Sequence, residues 1–286
     1  MTSPTTDPTT RSTSTLERPE VRTTGLLAQS WAIARRNFLH IRRMPEMLLD
    51  VTIQPVMFVL LFAYVFGSSI DVATPAGYRA FLLAGIMAQT VAFASFIVAV
   101  GLTADLDKGI VDRMRSLPIN PAAVLVGRSI SSLAHSSIGL VVMSLTGLVI
   151  GWRIHTNVFE AALGYLLLLG WGFAMIWVGI WVGSAMRSVE AVNGVMFATM
   201  FPITFLANTF APTDRMPTFL RFVAEWNPIS SLTQAVRELW GNDQPLAEGA
   251  AFPMHHPIPF TIGWIILITA VVAPLAIRTF RARTAD

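Results

Sequence analysis

Six long apolar segments that contain no Asp, Glu, Lys or Arg occupy most of the chain. They are Val51–Ile70, Ala80–Leu102, Ser129–Trp152, Ala161–Met186, Ala191–Thr213 and Pro257–Ile277. Each is long enough to cross a hydrocarbon core of about 30 Å as an α-helix. The alternation typical of membrane β-strands is absent from them. The pattern predicts an all-α integral membrane protein with six transmembrane helices, over about 51–70, 80–102, 122–152, 159–186, 189–211 and 257–278.

Positive charges are distributed unevenly between the two sets of helix ends. One set carries Arg35, Arg36, Arg42, Arg43, Lys108, Arg113, Arg115, Arg128, Arg187, Arg278, Arg281 and Arg283. The opposite set carries only Arg79, Arg153, Arg215, Arg221 and Arg237. Because Lys and Arg accumulate on the cytoplasmic side of a membrane, this asymmetry places both termini and the loop over 103–121 in the cytoplasm.

The cytoplasmic stretch Asp105–Pro121 is the densest charged segment between the apolar runs. Four of its apolar residues fall on one face of a helix, at spacings of four, four and three: Leu106, Ile110, Met114 and Leu117. Pro118 ends this helix. An ordinary solvated loop is one interpretation. A docking helix for a soluble partner is the other, and it is favoured because the apolar face has no partner within its own loop.

Two segments precede the first apolar run. Residues 1–24 are rich in Ser, Thr and Pro, which is typical of a disordered tail, and without a signal-peptide core the tail is expected to stay in the cytoplasm. Residues 26–44 combine an apolar face with clustered arginines, which is typical of an amphipathic helix lying in the membrane surface. A basic linker is the alternative for the second segment.

The longest segment on the outer side, Ala211–Pro257, is expected to contain an outer hairpin over 212–245. Pro217–Trp226 is predicted to form a short helix with proline in its first turn, and Asn227–Pro228 ends it. Two short helices separated by a proline, next to the fifth span, predict a re-entrant or interfacial helical hairpin. The backbone of such a hairpin must be covered by protein or water.

The second helix of the hairpin is predicted over Ser230–Trp240. Ser230 or Ser231 is expected to cap its first turn, because a hydroxyl oxygen can accept a backbone N–H there. Gly241 follows the helix as its C-terminal cap.

The composition narrows the possible functions. Of the 286 residues, 53% are hydrophobic and only 13% are charged, compared with about 25% charged in soluble domains. Cysteine is absent, which excludes disulfides, thiol nucleophiles and cysteine-ligated metals. Lys108, the only lysine, lies between Asp107 and Gly109, whereas the lysine of a P-loop follows Gly and precedes Ser or Thr. The chain is therefore not expected to bind ATP in this way on its own.

Polar residues at the ends of the spans are interpreted as structural. Arg128 can extend its side chain to the cytoplasmic surface, and His135 and Glu190 form no chain of acids typical of an ion-coupled carrier. Two small-residue motifs allow close contact between helices: Gly147-x-x-x-Gly151 and Gly179-x-x-x-Gly183.

The chain resembles the permease subunits of ABC-2-type exporters, and within them the daunorubicin-resistance-type drug and lipid permeases. DLDKGIVDRMRSLPINPAAVLVGR (Asp105–Arg128) is similar to the cytoplasmic loop of the family, "e…G…rl…lP.s…l.gr". PTFLRFVAEWNPISSLTQAVREL (Pro217–Leu239) has its Asn–Pro pair and Arg237 placed as in the family. The order of surface helix, six spans and outer hairpin extends the resemblance over nearly all of the chain after Thr24.

The resemblance implies a multi-pass permease of the bacterial inner membrane, without enzymatic activity, that exports a drug, antibiotic or lipid. It implies no catalytic or metal-binding residue and no cofactor on this chain, with ATP and Mg²⁺ bound by a separate ATP-binding-cassette ATPase subunit. Two permeases, identical or paralogous, would work with two ATPases among membrane lipids and without nucleic acid. The implied ATPase-coupling residues are Leu106, Lys108, Ile110, Arg113, Met114 and Leu117. The implied outer gate consists of Trp226, Asn227, Pro228 and Arg237.

The loop departs from the family at Asp107–Lys108, where Glu and Arg are frequent, so the pairing with the ATPase is expected to differ in detail. Two other classes of function stay open on the sequence alone. One is an intramembrane lipid-modifying enzyme, motivated by His135 and Glu190. The other is a membrane anchor for a soluble partner.

Overall fold

The computed structural model describes residues 46–67, 77–109 and 121–283, and within these ranges it is helical without a β-strand. The all-α prediction is confirmed for this part of the chain. The tail over 1–24, the surface helix over 26–44 and most of the loop over 103–121 lie outside the described residues.

The described ranges contain nine α-helices. They are α1 (Glu46–Leu61), α2 (Gly77–Asp107), α3 (Pro121–Val149), α4 (Val158–Ala185), α5 (Val189–Phe205), α6 (Thr218–Trp226), α7 (Pro228–Trp240), α8 (Phe252–His255) and α9 (Pro257–Arg283). By length and composition, α2, α3, α4 and α9 can cross a membrane. The apolar stretches at α1 and α5 are shorter, at Ile53–Val65 and Val189–Phe205. Four spans are thus supported, and six transmembrane helices remain a prediction.

α2 is the central helix. In its apolar window 78% of the residues are buried, compared with 61% in α4, 28% in α3 and 11% in α9. α4 lies directly against α2 because Gly179 and Gly183 have no side chains. A Cβ at these positions would lie 2.2 Å from the carbonyl oxygen of Ser95 and 2.6 Å from that of Ala99. The predicted close contact at Gly179-x-x-x-Gly183 is confirmed.

The two glycines of the other motif, Gly147 and Gly151, have different roles. At Gly147 a Cβ would lie 2.3 Å from Cδ2 of Leu83, so glycine lets α3 pack closely against this side chain of α2. A Cβ at Gly151 would meet open space, but the φ of +96° there favours glycine. The contact prediction holds for Gly147 and is wrong for Gly151, which instead turns the chain after α3.

The beginning of the loop over 103–121 differs from the prediction. α2 continues to Asp107, so Leu106 belongs to its last turn. Lys108 and Gly109 then form a turn, in which Gly109 has a φ of +65° and donates its N–H to the carbonyl of Leu106 at 3.0 Å. The prediction of one helix that continues from Leu106 into the loop is therefore wrong, because the helix ends at Asp107 and a left-handed glycine follows at position 109.

The hairpin consists of α6 and α7, with a 3-10 turn at Thr213–Arg215 before it. α7 is polar in sequence and yet almost wholly buried. Glu238 is exposed, but the other polar side chains of α7 have exposures of 5% or less: Ser230, Ser231, Thr233, Gln234 and Arg237. Protein covers this helix, which is the condition for a polar, non-spanning helix at membrane depth.

The hairpin and the beginning of the loop over 103–121 lie at opposite ends of α2. α7 contacts Phe81 near the start of α2, whereas Asp107 is its last residue. The 26 residues that separate them span about 39 Å at 1.5 Å per residue, which exceeds the thickness of a hydrocarbon core. We refer to these two regions as the hairpin end and the loop end.

Candidate functional site

Asn227 forms the elbow between α6 and α7. Its Oδ1 accepts the backbone N–H of Ile229 at 2.9 Å, and its Nδ2 donates to the carbonyl of Ile203 at 2.6 Å. One side chain thus caps α7 and satisfies a carbonyl in the last turn of α5. This explains why the two short helices meet at a fixed angle beside the end of α5.

The predicted caps, Ser230 and Ser231, are wrong. Pro228 occupies the first helical position, where the missing N–H has no cost, so α7 begins earlier than predicted and Asn227 is its cap. The Oγ of Ser230 instead accepts the N–H of Asn208 at 2.9 Å. Ser230 therefore joins α7 to the segment that follows α5.

Arg237 is fully buried and binds three backbone carbonyl groups. Its Nε donates to Phe81 at 2.9 Å, and its Nη2 donates to Asn208 and Thr209 at 2.9 and 3.3 Å. These contacts connect α7 with the start of α2 and with the segment after α5. The predicted fifth helix to 211 is wrong at its end, since α5 stops at Phe205 and the carbonyls of the following segment face Arg237.

Backbone dipoles and an aromatic ring solvate the charge of Arg237. Burial lowers its pKa well below the ordinary value. Its three partners are carbonyl oxygens, which only accept hydrogen bonds, so the donor-rich protonated guanidinium is the form that fits. Its Cζ lies 3.4 Å from the ring centroid of Phe81, which adds a cation–π contact. Arg237 is therefore an anchor of the hairpin.

The C-terminal end of α7 is fixed as well. The N–H of His155 donates to the carbonyl of Trp240 at 2.9 Å, and Nε1 of Trp240 donates to the carbonyl of Ala161 in α4 at 3.2 Å. Gly241 has a φ of +66° and ends α7, which confirms its predicted role as C-terminal cap. Hydrogen bonds to neighbouring segments of the bundle therefore fix both ends of α7.

Glu225, which the sequence interpretation missed, holds three segments together and is 3% exposed. Its Oε1 accepts from Oγ1 of Thr213 at 3.1 Å and from Nε of Arg221 at 2.7 Å. Its Oε2 accepts the N–H of Ala251 at 2.7 Å. The only available signal in the sequence was the Arg–Glu spacing of four on a predicted helix, which is common on exposed helices.

An apolar cavity of about 450 Å³ lies at the elbow. Its walls come from α4, α5, the elbow and α9, and include Trp171, Met200, Trp226 and Ile268. Asn227 also lines it, but both polar atoms of that side chain already bind backbone groups. The cavity therefore offers mainly apolar contacts. We refer to it as the elbow cavity.

A second cavity, of about 260 Å³, has polar walls, which include Asn208, Asp214, Glu225 and Gln234. The Oδ1 of Asn208 is buried and has no hydrogen-bond partner in the described part of the chain. Glu225 lines this polar cavity and the next residue, Trp226, lines the elbow cavity. An apolar and a polar environment thus adjoin the last turn of α6.

The predicted gate residues therefore have different roles. Asn227 and Arg237 are internal anchors, and Pro228 begins α7. Trp226 is 44% exposed, and its ring lies 6.2 Å from that of Phe260 in α9, edge to face. Trp226, Asn227 and Pro228 all line the elbow cavity, and Trp226 is the most exposed of the four.

Two ion pairs occupy the loop end. Nη1 of Arg128 lies 2.5 Å from Oδ2 of Asp105, and Nη2 of Arg283 lies 3.4 Å from Oδ1 of Asp107. Arg128 thus has a structural role, by pairing with α2 across the base of the loop rather than by extending to the membrane surface.

Only part of the implied coupling surface is described. Leu106 is half-buried in the last turn of α2, and Lys108 is exposed in the turn that follows. Ile110, Arg113, Met114 and Leu117 lie outside the described residues, so their role remains a prediction. Within the described ranges, no group of three or more His, Cys, Asp or Glu side chains could hold a metal ion.

A buried hairpin on a bundle of apolar helices is an arrangement suited to a membrane permease, and the sequence comparison identifies its family. Residues 28–239 match the ABC-2 type transporter family, and the chain belongs to it.

Named permeases are among its relatives. The chain is 27% identical over 255 residues to the daunorubicin resistance ABC transporter permease protein of Streptomyces coeruleorubidus, a match that covers 87% of this chain and 85% of the relative. It is 22% identical over 210 residues to the doxorubicin resistance ABC transporter permease protein of Mycobacterium tuberculosis, covering 73% and 71% of the two chains. The resemblance to drug-resistance permeases is confirmed.

Arg237→Ala should destabilise the protein strongly, because three buried carbonyl groups lose their donor. Hydrogen bonds to a charged group contribute about 1.5–3 kcal/mol each, so the Tm in detergent should fall by at least about 5 °C. Arg237→Lys should recover only part of this loss, since an ammonium lacks the fork that reaches both Phe81 and Asn208. Arg153→Ala is the control, because Arg153 is exposed and binds carbonyls of its own helix end. An unchanged Tm for Arg237→Ala would contradict the anchor.

Asn227→Asp separates the two functions of the elbow. The aspartate keeps an acceptor for Ile229 but presents an oxygen, instead of a donor, to the carbonyl of Ile203. We expect it to cost about 1–3 kcal/mol, comparable to Asn227→Ala, whereas Pro228→Ala should be mild. Thermal unfolding and hydrogen exchange of α7 measure this. If Pro228→Ala is the most damaging of the three, proline rather than Asn227 determines the elbow.

Proposed function

We propose that this chain is the transmembrane permease subunit of an ATP-binding-cassette exporter that moves a hydrophobic or amphipathic compound out of the cell. The compound would be a drug, an antibiotic or a lipid, and ATP with Mg²⁺ would be hydrolysed on a separate ATPase subunit. Membership of the family and the permease relatives support the transport role. The class of cargo is inferred from the two cavities, the polar one lined by Glu225 and the elbow cavity lined by Trp226.

The chemistry of the two cavities matches the two parts of an amphipathic molecule. Apolar walls with saturated polar groups favour a hydrocarbon or ring body, since burial of apolar surface contributes roughly 25 cal/mol per Å². The polar cavity offers carboxamides and carboxylates to a head group with hydrogen-bond donors. Ligand cavities commonly have about this size, and commonly combine apolar walls with a few polar groups.

The energy for transport would enter at the opposite end of α2. The sequence contains no P-loop, and the loop that resembles the coupling segment of the family begins at the turn of Lys108 and Gly109. We propose that two permeases, copies or paralogues, work with two ATPases. α5 supports such pairing, because its buried side chains lie on one face only, at Val192, Met196, Met200 and Thr204.

Met114→Glu tests the contact with the ATPase. Burying a large apolar side chain contributes roughly 1.5–3 kcal/mol, so a charge on this face should weaken the association about a hundredfold. We expect loss of co-purification with an ATPase encoded beside this chain, together with loss of efflux. Asp112→Ala, which removes a charge that the sequence predicts to lie off this apolar face, is the control and should cost at most about 1 kcal/mol. Normal binding and efflux by Met114→Glu would exclude this face as the coupling surface.

Ile268→Trp tests the elbow cavity. Ile268 lines the cavity, whereas its neighbour Leu267 does not line it and is 52% exposed, so Leu267→Trp adds the same ring outside the cavity. We expect the first change to reduce ATP-driven daunorubicin transport by inside-out vesicles about tenfold, and the second to have little effect. Equal transport by the two variants would remove the cavity from the path of the cargo.

A further inference from the structure

Arg283, near the end of α9, bridges two other helices at the loop end. Its Nη1 donates to the carbonyls of Gly183 and Ser184 at 3.1 and 3.3 Å and also contacts the carbonyl of Met186. Its Nη2 donates to Oδ1 of Asp107 at 3.4 Å. One guanidinium group therefore joins α9, the end of α4 and the end of α2.

The position of Arg283 has a physical basis. The last carbonyl groups of a helix have no donor within the helix, and the dipole gives this end a partial negative charge. A guanidinium at the end of α4 satisfies both conditions. Because its nitrogens form a rigid fork, it can bind the carbonyls of α4 and the carboxylate of Asp107 at the same time, which a lysine cannot do equally well.

α2 and α4 also touch directly at this end. Oγ1 of Thr103 donates to the carbonyl of Gly183 at 2.9 Å, and a Cβ on Gly183 would lie 2.6 Å from the carbonyl oxygen of Ala99. At this contact the backbones of α2 and α4 are too close for side chains to lie between them. Asp107, Gly183 and Arg283 therefore belong to one closely packed junction of α2, α4 and α9.

The second ion pair closes the base of the loop. Asp105 precedes the loop and Arg128 follows it, and their charged atoms lie 2.5 Å apart. Nη2 of Arg128 also lies against Gly101, where a Cβ would be 2.5 Å away. Both flanks of the loop are thus tied together before the chain reaches the turn at Gly109.

We propose that Asp105, Asp107, Arg128 and Arg283 form a coupling clasp, which transmits movement of the loop over 108–120 to α4 and α9. This inference rests on the proposed function, in which an ATPase moves the loop. Without the clasp the loop would pivot on its glycine turn, and ATP hydrolysis would continue without transport. The acids are 39% exposed and the arginines 22–23%, so the ion pairs contribute to positioning more than to stability.

Charge reversal and exchange test the clasp in the complete permease–ATPase complex in proteoliposomes. Asp105→Arg and Arg128→Asp, each alone, should lower daunorubicin transported per ATP hydrolysed about tenfold, while ATPase co-purification and hydrolysis persist. The double variant restores opposite charges and should recover most of the coupling. A fluorescent phospholipid serves as the second transport probe.

Arg283→Lys is an independent test of the clasp, because lysine keeps the positive charge but lacks the forked nitrogens of the guanidinium group. We expect reduced transport per ATP with normal insertion and normal hydrolysis. Arg278→Ala is the matched control, since Arg278 is an exposed arginine on the same helix outside the two ion pairs. It should leave the coupling ratio unchanged.

The outcomes separate the clasp from the proposed function. Wild-type coupling in both single reversals and in Arg283→Lys would overturn the clasp. A double variant that inserts normally but couples no better than the single variants would overturn it as well. If the wild-type chain binds no ATPase at all, the proposed function is what fails.

Discussion

The structure of the hairpin end depends on the guanidinium group of Arg237, which is buried among backbone carbonyl groups. A cation without an ion-pair partner in the described chain must find acceptors, and it finds them on Phe81, Asn208 and Thr209. To provide two of these carbonyls, the chain after α5 leaves the helical path. That departure opens the space into which the elbow fits, and Asn227 then binds the carbonyl of Ile203 that the end of α5 exposes. Both cavities have walls in this region, with Asn208 in the polar cavity and Asn227 in the elbow cavity.

The contact between α2 and α4 connects this region with the loop end. The two glycines of α4 bring the helix backbones together over two turns, and the same helices carry the anchors of α7 at one end and the ion pairs at the other. A bundle in which every helix moved independently could not transmit movement from the loop end to the hairpin end. The pairing of α2 with α4 provides a stiff element of the required length.

Much of the helix arrangement could be predicted from the sequence, because long apolar runs, glycine spacing and glycine caps are local signals. The positions of α2, α3, α4 and α9, the contact at Gly183 and the cap at Gly241 were all accessible in this way. The end of α5 was not, because the distant Arg237 binds carbonyls of the segment that follows it. The role of Glu225 was also inaccessible, since its partners Thr213 and Ala251 meet only in the fold. The prediction for the start of the loop was wrong because Gly109 was treated as an ordinary helical residue.

The polar sequence of α7 has a consequence for biosynthesis. A helix with Ser230, Ser231, Thr233, Gln234 and Arg237 is a poor substrate for direct insertion into lipid. The side chains of Arg237 and Trp240 donate to carbonyls of Phe81, Ala161, Asn208 and Thr209, all of which are synthesised earlier. When α7 emerges from the ribosome, its hydrogen-bond acceptors have therefore already been made. α7 can therefore dock on helices that precede it in the chain, whereas α9, which also packs against the hairpin, is made later.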